Sequence, residues 1–407
     1  MTPAAIALSL LALTHVISAP TTEPESLFVH GHLREAAAGF TARLAANPGD
    51  QLAARRLALL ALWENRLEDA AARLTALVVA DSTDDELVGA LAETRYRQKR
   101  FAEAALLFRR QGRTAMADKV AAIPTPYAVS VPGSGVRLAF APGAILPVLA
   151  VQVNGQDAHF LLDTGAGETI LDKDFADKVG AVRFGTDSAT YAGGRRASFE
   201  HGAVDSVQLG AAIVHGVPVH IQNTRQYAAA AGGISVDGIL GTGLLSQFRA
   251  TLDFEQQVLD LAPRGSSGTG GTPLPFWLLG DHFVTVPAVA MGHIEALMVF
   301  DTGLALPGGA LVPAASLVAE AGIDLPQGSV SGLGGGGTVT VTPFEFPRLQ
   351  VGALERSNVV AVAGAFPPTL EHQFGVRIGA LLSHGFFAGH RVTLDFEIMQ
   401  LIVDATN

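Results

Sequence analysis

Two aspartates occupy the same local setting in this sequence. Asp163 and Asp301 each follow a run of large apolar residues, and each begins the tripeptide Asp-Thr-Gly. A lone carboxylate buried at such a position would be costly, because it loses its solvation by water. Two of them brought together can share one proton, which leaves one group as a base and the other as an acid. Such a pair is suited to adding water to an amide carbonyl.

The residues around the two tripeptides also repeat. Each tripeptide is followed by a short apolar segment and then by Thr-Leu-Asp-Phe, at residues 239–241 and 251–254 in the first copy and at 381–383 and 393–396 in the second. The two aspartates are 138 positions apart, and the later segments keep nearly the same spacing. The pattern indicates an internal duplication. Asp253 and Asp395, in the Thr-Leu-Asp-Phe segments, are predicted to be solvent-facing strand residues without a catalytic role.

Residues 140–404 resemble the aspartic proteases of the retropepsin and pepsin clan. In that clan each lobe supplies one Asp-Thr-Gly segment and a later apolar-apolar-Gly segment that braces it. The resemblance implies that Asp163 and Asp301 hold the nucleophilic water, and that the two threonines interlock across the lobe interface. The residues supporting the dyad would be Thr164, Gly165, Thr302 and Gly303, and those of the brace Ile239, Leu240, Gly241, Leu382 and Ser383. Ser383 stands where the clan carries glycine.

Two glycine-rich segments fall where the clan carries a hairpin flap over the substrate. Tyr191, Gly193 and Gly194 lie in the first segment, and Gly334 and Gly335 lie in the second. An ordinary surface hairpin is the alternative for the first segment. The second formally contains G-x-G-x-x-G, but a strand-like stretch follows it where a dinucleotide site needs a helix. We therefore predict two flap-like hairpins and no nucleotide site.

A different pattern precedes this region. Residues 27–122 repeat with a period of 34, in which two small residues lie between two large ones: Leu33, Ala36, Ala37 and Phe40, then Leu67, Ala70, Ala71 and Leu74, then Phe101, Ala104, Ala105 and Phe108. The pattern resembles a tetratricopeptide-like array of helical hairpins. Such an array would bind a peptide or a partner protein, or would serve only as a helical appendage. Its period predicts a unit that folds by itself and can be removed from a soluble catalytic part.

The predicted fold class is a multidomain α+β protein, with an α-helical repeat array followed by a mainly-β, two-lobed aspartic protease fold. Pro and Gly punctuation predicts a linker with room for one leading strand at 123–147, lobe one at 148–262, a flexible inter-lobe connector at 263–275 and lobe two at 276–404. Residues 1–19 are predicted to be a signal peptide, and the protein to be exported to the periplasm or secreted, although a basic n-region is missing. A buried first helix is the alternative.

Composition excludes several other functions. The net charge of −11 argues against a nucleic-acid partner, which would require a basic face. The sequence has no cysteine, so disulfides, thiolate metal sites and cysteine nucleophiles are excluded. No G-x-S-x-G segment occurs, and the histidines lack the spacing that places two ligands on one helix face. We therefore expect no cofactor and no metal, and no stable membrane span after signal removal.

The sequence thus predicts an aspartic endopeptidase that acts on peptides or unfolded proteins. Both halves of the dyad lie in one chain, so catalysis as a monomer is expected. One alternative is a non-catalytic peptide-binding protein. Ser383 in the brace and Leu304 after the second tripeptide depart from the clan pattern and are the features that support it. Another is a pair of independent retropepsin-like domains that each dimerise between chains. Ala166 and Leu304 follow the two tripeptides, where pepsin-like enzymes often carry a hydroxyl, and this difference predicts a weakly acidic pH optimum.

Overall fold

The computed structural model describes residues 23–191, 194–268, 270–304, 309–367 and 369–405. The predicted signal peptide, residues 1–19, lies outside these ranges. Helices occupy the N-terminal part and strands dominate the remainder, as expected for the predicted multidomain α+β class. None of the helices in the described ranges combines the length and apolar character needed to cross a membrane.

Within residues 23–122, consecutive helices pack against one another through short connections, as expected for helical hairpins. Ala36, Ala70 and Ala104 lie one repeat apart and are fully buried, so the helices can approach closely. The helices agree with the predicted hairpins, and the tetratricopeptide-like class stays a prediction. We call this region the helical array; it comprises α1 Pro24–Val29, α2 Leu33–Ala46, α3 Gln51–Trp63, α4 Leu67–Ala80, α5 Asp85–Arg97, α6 Phe101–Arg110 and α7 Thr114–Ala121.

Each lobe is built on its own eight-stranded sheet within the described residues. Lobe one contains β1 Ala128–Ser130, β3 Val148–Val153, β4 Gln156–Leu162, β5 Thr169–Leu171, β6 Val182–Thr190, β7 Arg196–Leu209, β8 Ala212–Ile221 and β9 Gly238–Leu240, with short helices α8 Lys173–Lys178 and α9 Thr242–Leu245. Lobe two contains β13 Trp277–Leu279, β14 Phe283–Ala290, β15 Ile294–Asp301, β16 Gly309–Pro313, β17 Val330–Gly334, β18 Gly337–Val351, β19 Leu354–Ala363 and β20 Ile378–Ser383, with α10 Ala315–Glu320 and α11 Leu370–Phe374.

A six-stranded sheet, which we call the connecting sheet, joins the lobes. Its strands are β2 Val136–Ala139, β10 Phe248–Asp253, β11 Val258–Pro263, β12 Thr272–Pro275, β21 His390–Asp395 and β22 Gln400–Ala405, and they lie in the order β12-β22-β21-β10-β11-β2. At its centre β10 and β21 run antiparallel, so the two Thr-Leu-Asp-Phe segments lie side by side. The hydroxyls of Thr251 and Thr393 are 2.8 Å apart across this pair. The equivalent strands of the two copies therefore pair with each other in one continuous sheet.

The prediction that Asp253 and Asp395 face solvent is wrong, because they are only 2% and 6% exposed. Asp253 accepts hydrogen bonds from the backbone N–H groups of Glu255 and Gln256 in the following turn. Asp395 does the same in the second copy and also accepts one from Arg249. Each carboxylate closes the turn after its strand, and those donors compensate for its burial.

The predicted linkers also differ from the structure. Residues 123–147 include β1, which pairs with β8, and β2, which pairs with β11. Residues 263–275 include β12, which pairs with β22. All three are edge strands, where proline and irregular backbone are tolerated because one side needs no ladder partner. The proline and glycine residues of these segments indicate turns, but short strands form between the turns.

The helical array packs directly on both lobes. One buried cluster combines Leu60 and Trp63 of α3 with Trp277 and Leu279 of β13. Another joins buried residues of α6 and α7 to the core of lobe one. The repeat period predicted a unit that folds by itself, whereas in the structure the array completes the cores of both lobes. Removing it would therefore expose large apolar side chains of the lobes to water.

Coupled unfolding of the array and lobe two is expected, and the two tryptophans of the sequence can report it. Trp63 lies in the array, Trp277 lies in lobe two, and each is 4% exposed in the same cluster. In Trp277→Phe the fluorescence of the remaining Trp63 reports unfolding of the array, and in Trp63→Phe that of Trp277 reports unfolding of lobe two. After correction for the stability of each variant, measured by circular dichroism, both fluorescence transitions should coincide with the loss of secondary structure. A separate, earlier transition of either indole would contradict a shared core.

Candidate active site

The two aspartates lie at equivalent strand ends. Asp163 follows β4, and its backbone N–H donates to the carbonyl of Leu240 at 3.1 Å. The strand β9 runs parallel beside β4 and places Leu240 opposite Leu162. In lobe two, β20 runs parallel beside β15 and places Ser383 opposite Asp301. Each brace predicted from the sequence thus lies beside its aspartate.

The glycine of each tripeptide donates a hydrogen bond to the aspartate of its own lobe and lies against the aspartate of the other lobe. Gly165 N–H donates to Asp163 Oδ1 at 2.8 Å, and Gly303 N–H donates to Asp301 Oδ1 at 2.9 Å. A Cβ on Gly165 would lie 2.8 Å from the carboxylate of Asp301, and one on Gly303 would lie even closer to Asp163. Each carboxylate therefore faces the loop of the opposite lobe, and only glycine leaves room for it.

The two threonines hold these loops together by four reciprocal hydrogen bonds. Thr164 N–H donates to Thr302 Oγ1 at 3.0 Å, and Thr302 N–H donates to Thr164 Oγ1 at 3.1 Å. The hydroxyl of Thr164 donates to the Phe300 carbonyl at 2.7 Å, and that of Thr302 donates to the Leu162 carbonyl at 2.9 Å. Both threonines are fully buried, so these bonds are shielded from water.

The two carboxyl groups are electrostatically inequivalent. Burial raises the pKa of Asp163, while the N–H of Gly165 and the contact with Asp301 lower it in part. Burial also raises the pKa of Asp301, and the charge of Asp163 adds to this effect, so the pKa of Asp301 lies well above its ordinary value. The dyad therefore favours a single shared proton, and its titration belongs to the pair as a whole.

The lobes differ in how the brace contacts the loop. A Cβ on Gly241 would overlap the backbone carbonyl of Glu168, so glycine is required in lobe one. In lobe two Ser383 is 1% exposed, and its hydroxyl donates to the carbonyl of Leu304 at 3.2 Å. The same oxygen accepts from Gly385 N–H at 3.2 Å. The serine that departs from the clan pattern therefore forms a hydrogen bond between the brace of lobe two and the segment that follows the second tripeptide.

Both predicted flap segments form hairpins. Strands β6 and β7 pair up to Thr190 and Arg196, and Gly194 N–H donates to the Tyr191 carbonyl at 3.0 Å. Gly193 lies outside the described residues. Strands β17 and β18 pair up to Gly334 and Gly337. We call these two elements the flap hairpins.

The tips of the flap hairpins touch each other. A Cβ on Gly335 would overlap the ring of Tyr191, and one on Gly336 would lie 2.8 Å from Arg195 Cβ. Arg195 Nε also donates to the Gly336 carbonyl at 3.2 Å. The hairpins of the two lobes therefore meet in the structure.

Sequence reasoning missed several residues around the site. Burial raises the pKa of Tyr227, and the charges of Asp163 and Tyr191 raise it further. The Tyr191 hydroxyl donates to Gln222 Oε1 at 3.0 Å. The sequence has four tyrosines, and the hydroxyls of the other two, Tyr96 and Tyr127, lie 3.3 Å apart near Glu168. Their scarcity is the only sequence signal that marks them.

Removing one hydroxyl of the threonine interlock should destabilise the protein measurably. In Thr164→Val the N–H of Thr302 and the carbonyl of Phe300 lose their partner in a buried site, so the free energy of unfolding should fall by about 1–3 kcal/mol per unsatisfied group. Thr164→Ser keeps the hydroxyl and should lose less. Urea unfolding measures both values. Equal stability of the valine variant and the wild type would show that the interlock contributes nothing.

Comparisons with known proteins address this region. Residues 149–244 match a family model described as aspartyl protease. Among solved structures, the chain matches a retropepsin-like aspartic protease from Rickettsia conorii, with 18% sequence identity and a TM-score of 0.22, over 34% of this chain and 94% of that chain. No curated protein matches the sequence. The family match supports an aspartic protease family for the segment that carries Asp163, the first flap hairpin and the brace at 239–241.

Proposed function

We propose that the chain is an aspartic endopeptidase that hydrolyses peptide bonds with water activated between Asp163 and Asp301. The observation that carries the proposal is the reciprocal arrangement of the two loops, in which each tripeptide glycine faces the carboxylate of the opposite lobe. Since both loops belong to one chain and are joined by its own threonines, we infer that a monomer suffices for catalysis.

The inequivalent carboxyl groups suggest the role of each. The ionised Asp163 takes a proton from water as the water oxygen attacks the peptide carbonyl carbon, while the protonated Asp301 gives its proton to the carbonyl oxygen. The resulting tetrahedral diol collapses when the proton on Asp163 is transferred to the amide nitrogen and the C–N bond breaks. The diol returns a proton to Asp301 as the new carboxyl group forms. The dyad then regains its single proton, and no metal is needed at any step.

The flap hairpins favour an extended polypeptide as the substrate. Their tips meet, so a substrate that crosses between them and the dyad requires the tips to separate. We therefore expect the substrate to be an unfolded protein or a flexible peptide, and not a folded domain. Export of the protein and a partner protein at the helical array remain further predictions.

Replacing either aspartate by asparagine should abolish turnover almost completely, because the two groups act as one unit and their losses are not additive. The measurement is cleavage of an unstructured peptide by wild type, Asp163→Asn and Asp301→Asn. Asp260→Asn, on an exposed ion pair of the connecting sheet, is a matched control that should keep full activity. A transition-state-mimicking aspartic protease inhibitor should block wild-type cleavage. Near wild-type activity in either dyad variant would refute the shared-dyad mechanism.

The pH dependence of cleavage should follow the raised pKa values of the dyad. Activity requires Asp163 ionised, so its raised pKa moves the acidic limb above that of an ordinary aspartate. Activity also requires Asp301 protonated, so its raised pKa extends the alkaline limb upward. The profile of kcat/KM should therefore peak at roughly pH 4.5 to 6.5.

A single hydroxyl tests this account of the pH profile. In Ala166→Ser the added hydroxyl can donate to the ionised Asp163, which lowers its pKa and should move the acidic limb to lower pH. Ala166→Gly adds no donor and should leave that limb in place. A wild-type optimum near pH 2, or an upward shift in the serine variant, would contradict it.

A further inference from the structure

The segment from Asp163 to Thr169, which we call the first loop, contains a buried glutamate that the proposed mechanism does not use. Glu168 is 5% exposed and lies directly before β5. Its backbone carbonyl packs against Gly241 of the brace, at a distance that excludes any Cβ there. Its side chain reaches the helical array. The main chain and the side chain of one residue therefore connect the brace to the array.

The partners of the Glu168 carboxylate come largely from the array. Lys119 of α7 is fully buried, and its Nζ lies 2.5 Å from Glu168 Oε2. The Tyr96 hydroxyl of α5 donates to Glu168 Oε1 at 3.0 Å. His220 Nε2 of β8 lies 3.4 Å from Glu168 Oε2. Each oxygen of this carboxylate is thus held by a side chain of the array.

The charges at this position favour an ion pair. Burial alone would raise the pKa of Glu168, but Lys119, His220 and His201 together keep that pKa below its ordinary value. Burial lowers the pKa of Lys119, and the Glu168 carboxylate partly opposes this. Burial also lowers the pKa of His220 to about 3 and that of His201 to about 4, so both imidazoles are neutral at weakly acidic pH. Lys119 is therefore the close cation that balances Glu168.

The array also contacts a second element that touches the first loop. Arg97 of α5 donates to the carbonyl of Leu278, in β13, and to that of Gly280, in the turn between β13 and β14. That turn carries Asp281 and His282. A Cβ on Gly167 would lie 2.9 Å from the Asp281 carboxylate and 3.1 Å from His282 Nδ1. Two residues in succession, Gly167 and Glu168, are thus held by groups that the array anchors.

We propose that Glu168 is a positioning residue and that its buried pair with Lys119 sets the place of the first loop, which makes the helical array part of the catalytic unit. The proposal rests on the aspartic protease function proposed above. Its physical basis is that a displacement of about 1 Å in a reacting group can cost about 100-fold in rate. A short loop that ends in a buried ion pair has little freedom for such a displacement.

The test separates positioning from stability by removing both charges. Lys119→Met and Glu168→Gln each leave one buried charge unpaired, so each alone should lower the melting temperature strongly. The double variant has no unpaired charge and should recover most of the melting temperature. Its kcat per competent site should nevertheless remain about 10-fold or more below wild type, with KM little changed. Competent sites are counted by titration with a tight-binding transition-state analogue.

A matched control lies in the same array. Arg109 and Asp118 form an ion pair between α6 and α7 whose side chains are 52% and 47% exposed. The double variant Arg109→Met/Asp118→Asn should keep the wild-type kcat. If the double variant at Lys119 and Glu168 recovers both the melting temperature and the wild-type kcat per competent site, the pair is only structural and the proposal is overturned.

Hydrogen exchange gives a measurement that does not depend on turnover. The amides of residues 163–169 should exchange faster in the double variant and in Tyr96→Phe, which loses only the hydroxyl that donates to Glu168. Those of β7 should be unchanged. If the double variant does not fold, Tyr96→Phe decides, and unchanged exchange in 163–169 overturns the proposal. If the wild type shows no cleavage, the proposed function fails, whereas the exchange rates still test the positioning of the loop.

Discussion

Two carboxylates held close together in a partly buried site repel each other, and the structure around them opposes that repulsion. A shared proton removes most of the like-charge energy. The geometry must then be maintained by groups that do not titrate, and the threonine interlock supplies them through four buried hydrogen bonds. The interlock in turn requires the lobes to keep a constant separation, which the central pair of strands β10 and β21 provides. The geometry of the dyad therefore depends on the interlock, and the interlock depends on the connecting sheet.

Short sequence patterns were sufficient to predict the duplicated parts of the candidate site. The tripeptides and the braces are each a few residues long, and their duplication made them recognisable as two halves of one unit. The fold class followed from the helical repeat period and from the resemblance of residues 140–404 to the aspartic protease clan. The flap hairpins were predicted from glycine-rich segments at the places where the clan carries a flap, and the structure forms a hairpin at each segment.

Features that depend on distant contacts could not be predicted. Nothing near Asp253 in the sequence indicates that backbone N–H groups would compensate for its burial, so it was assigned to the surface. Glu168 lies beside the first tripeptide, but its partner Lys119 belongs to another kind of repeat altogether. The position that matches Glu168 in the second copy holds Leu306 in the sequence. The two copies of the duplicated segment thus differ in sequence at this position, and comparing them gives no hint of the ion pair.

The shared core also constrains the order in which the chain can assume its final form. The first helices, α1 to α3, bury their apolar faces in a cluster that includes Leu279, Leu297 and Ile378, which belong to the last third of the sequence. During synthesis these helices are complete long before their partners exist. Contacts between such distant parts of a chain slow folding, because a large loop must close before they form. A truncated or unfinished chain lacks both the second aspartate and the core of its own N-terminus. The two carboxylates can therefore come together only after the second lobe has been synthesised.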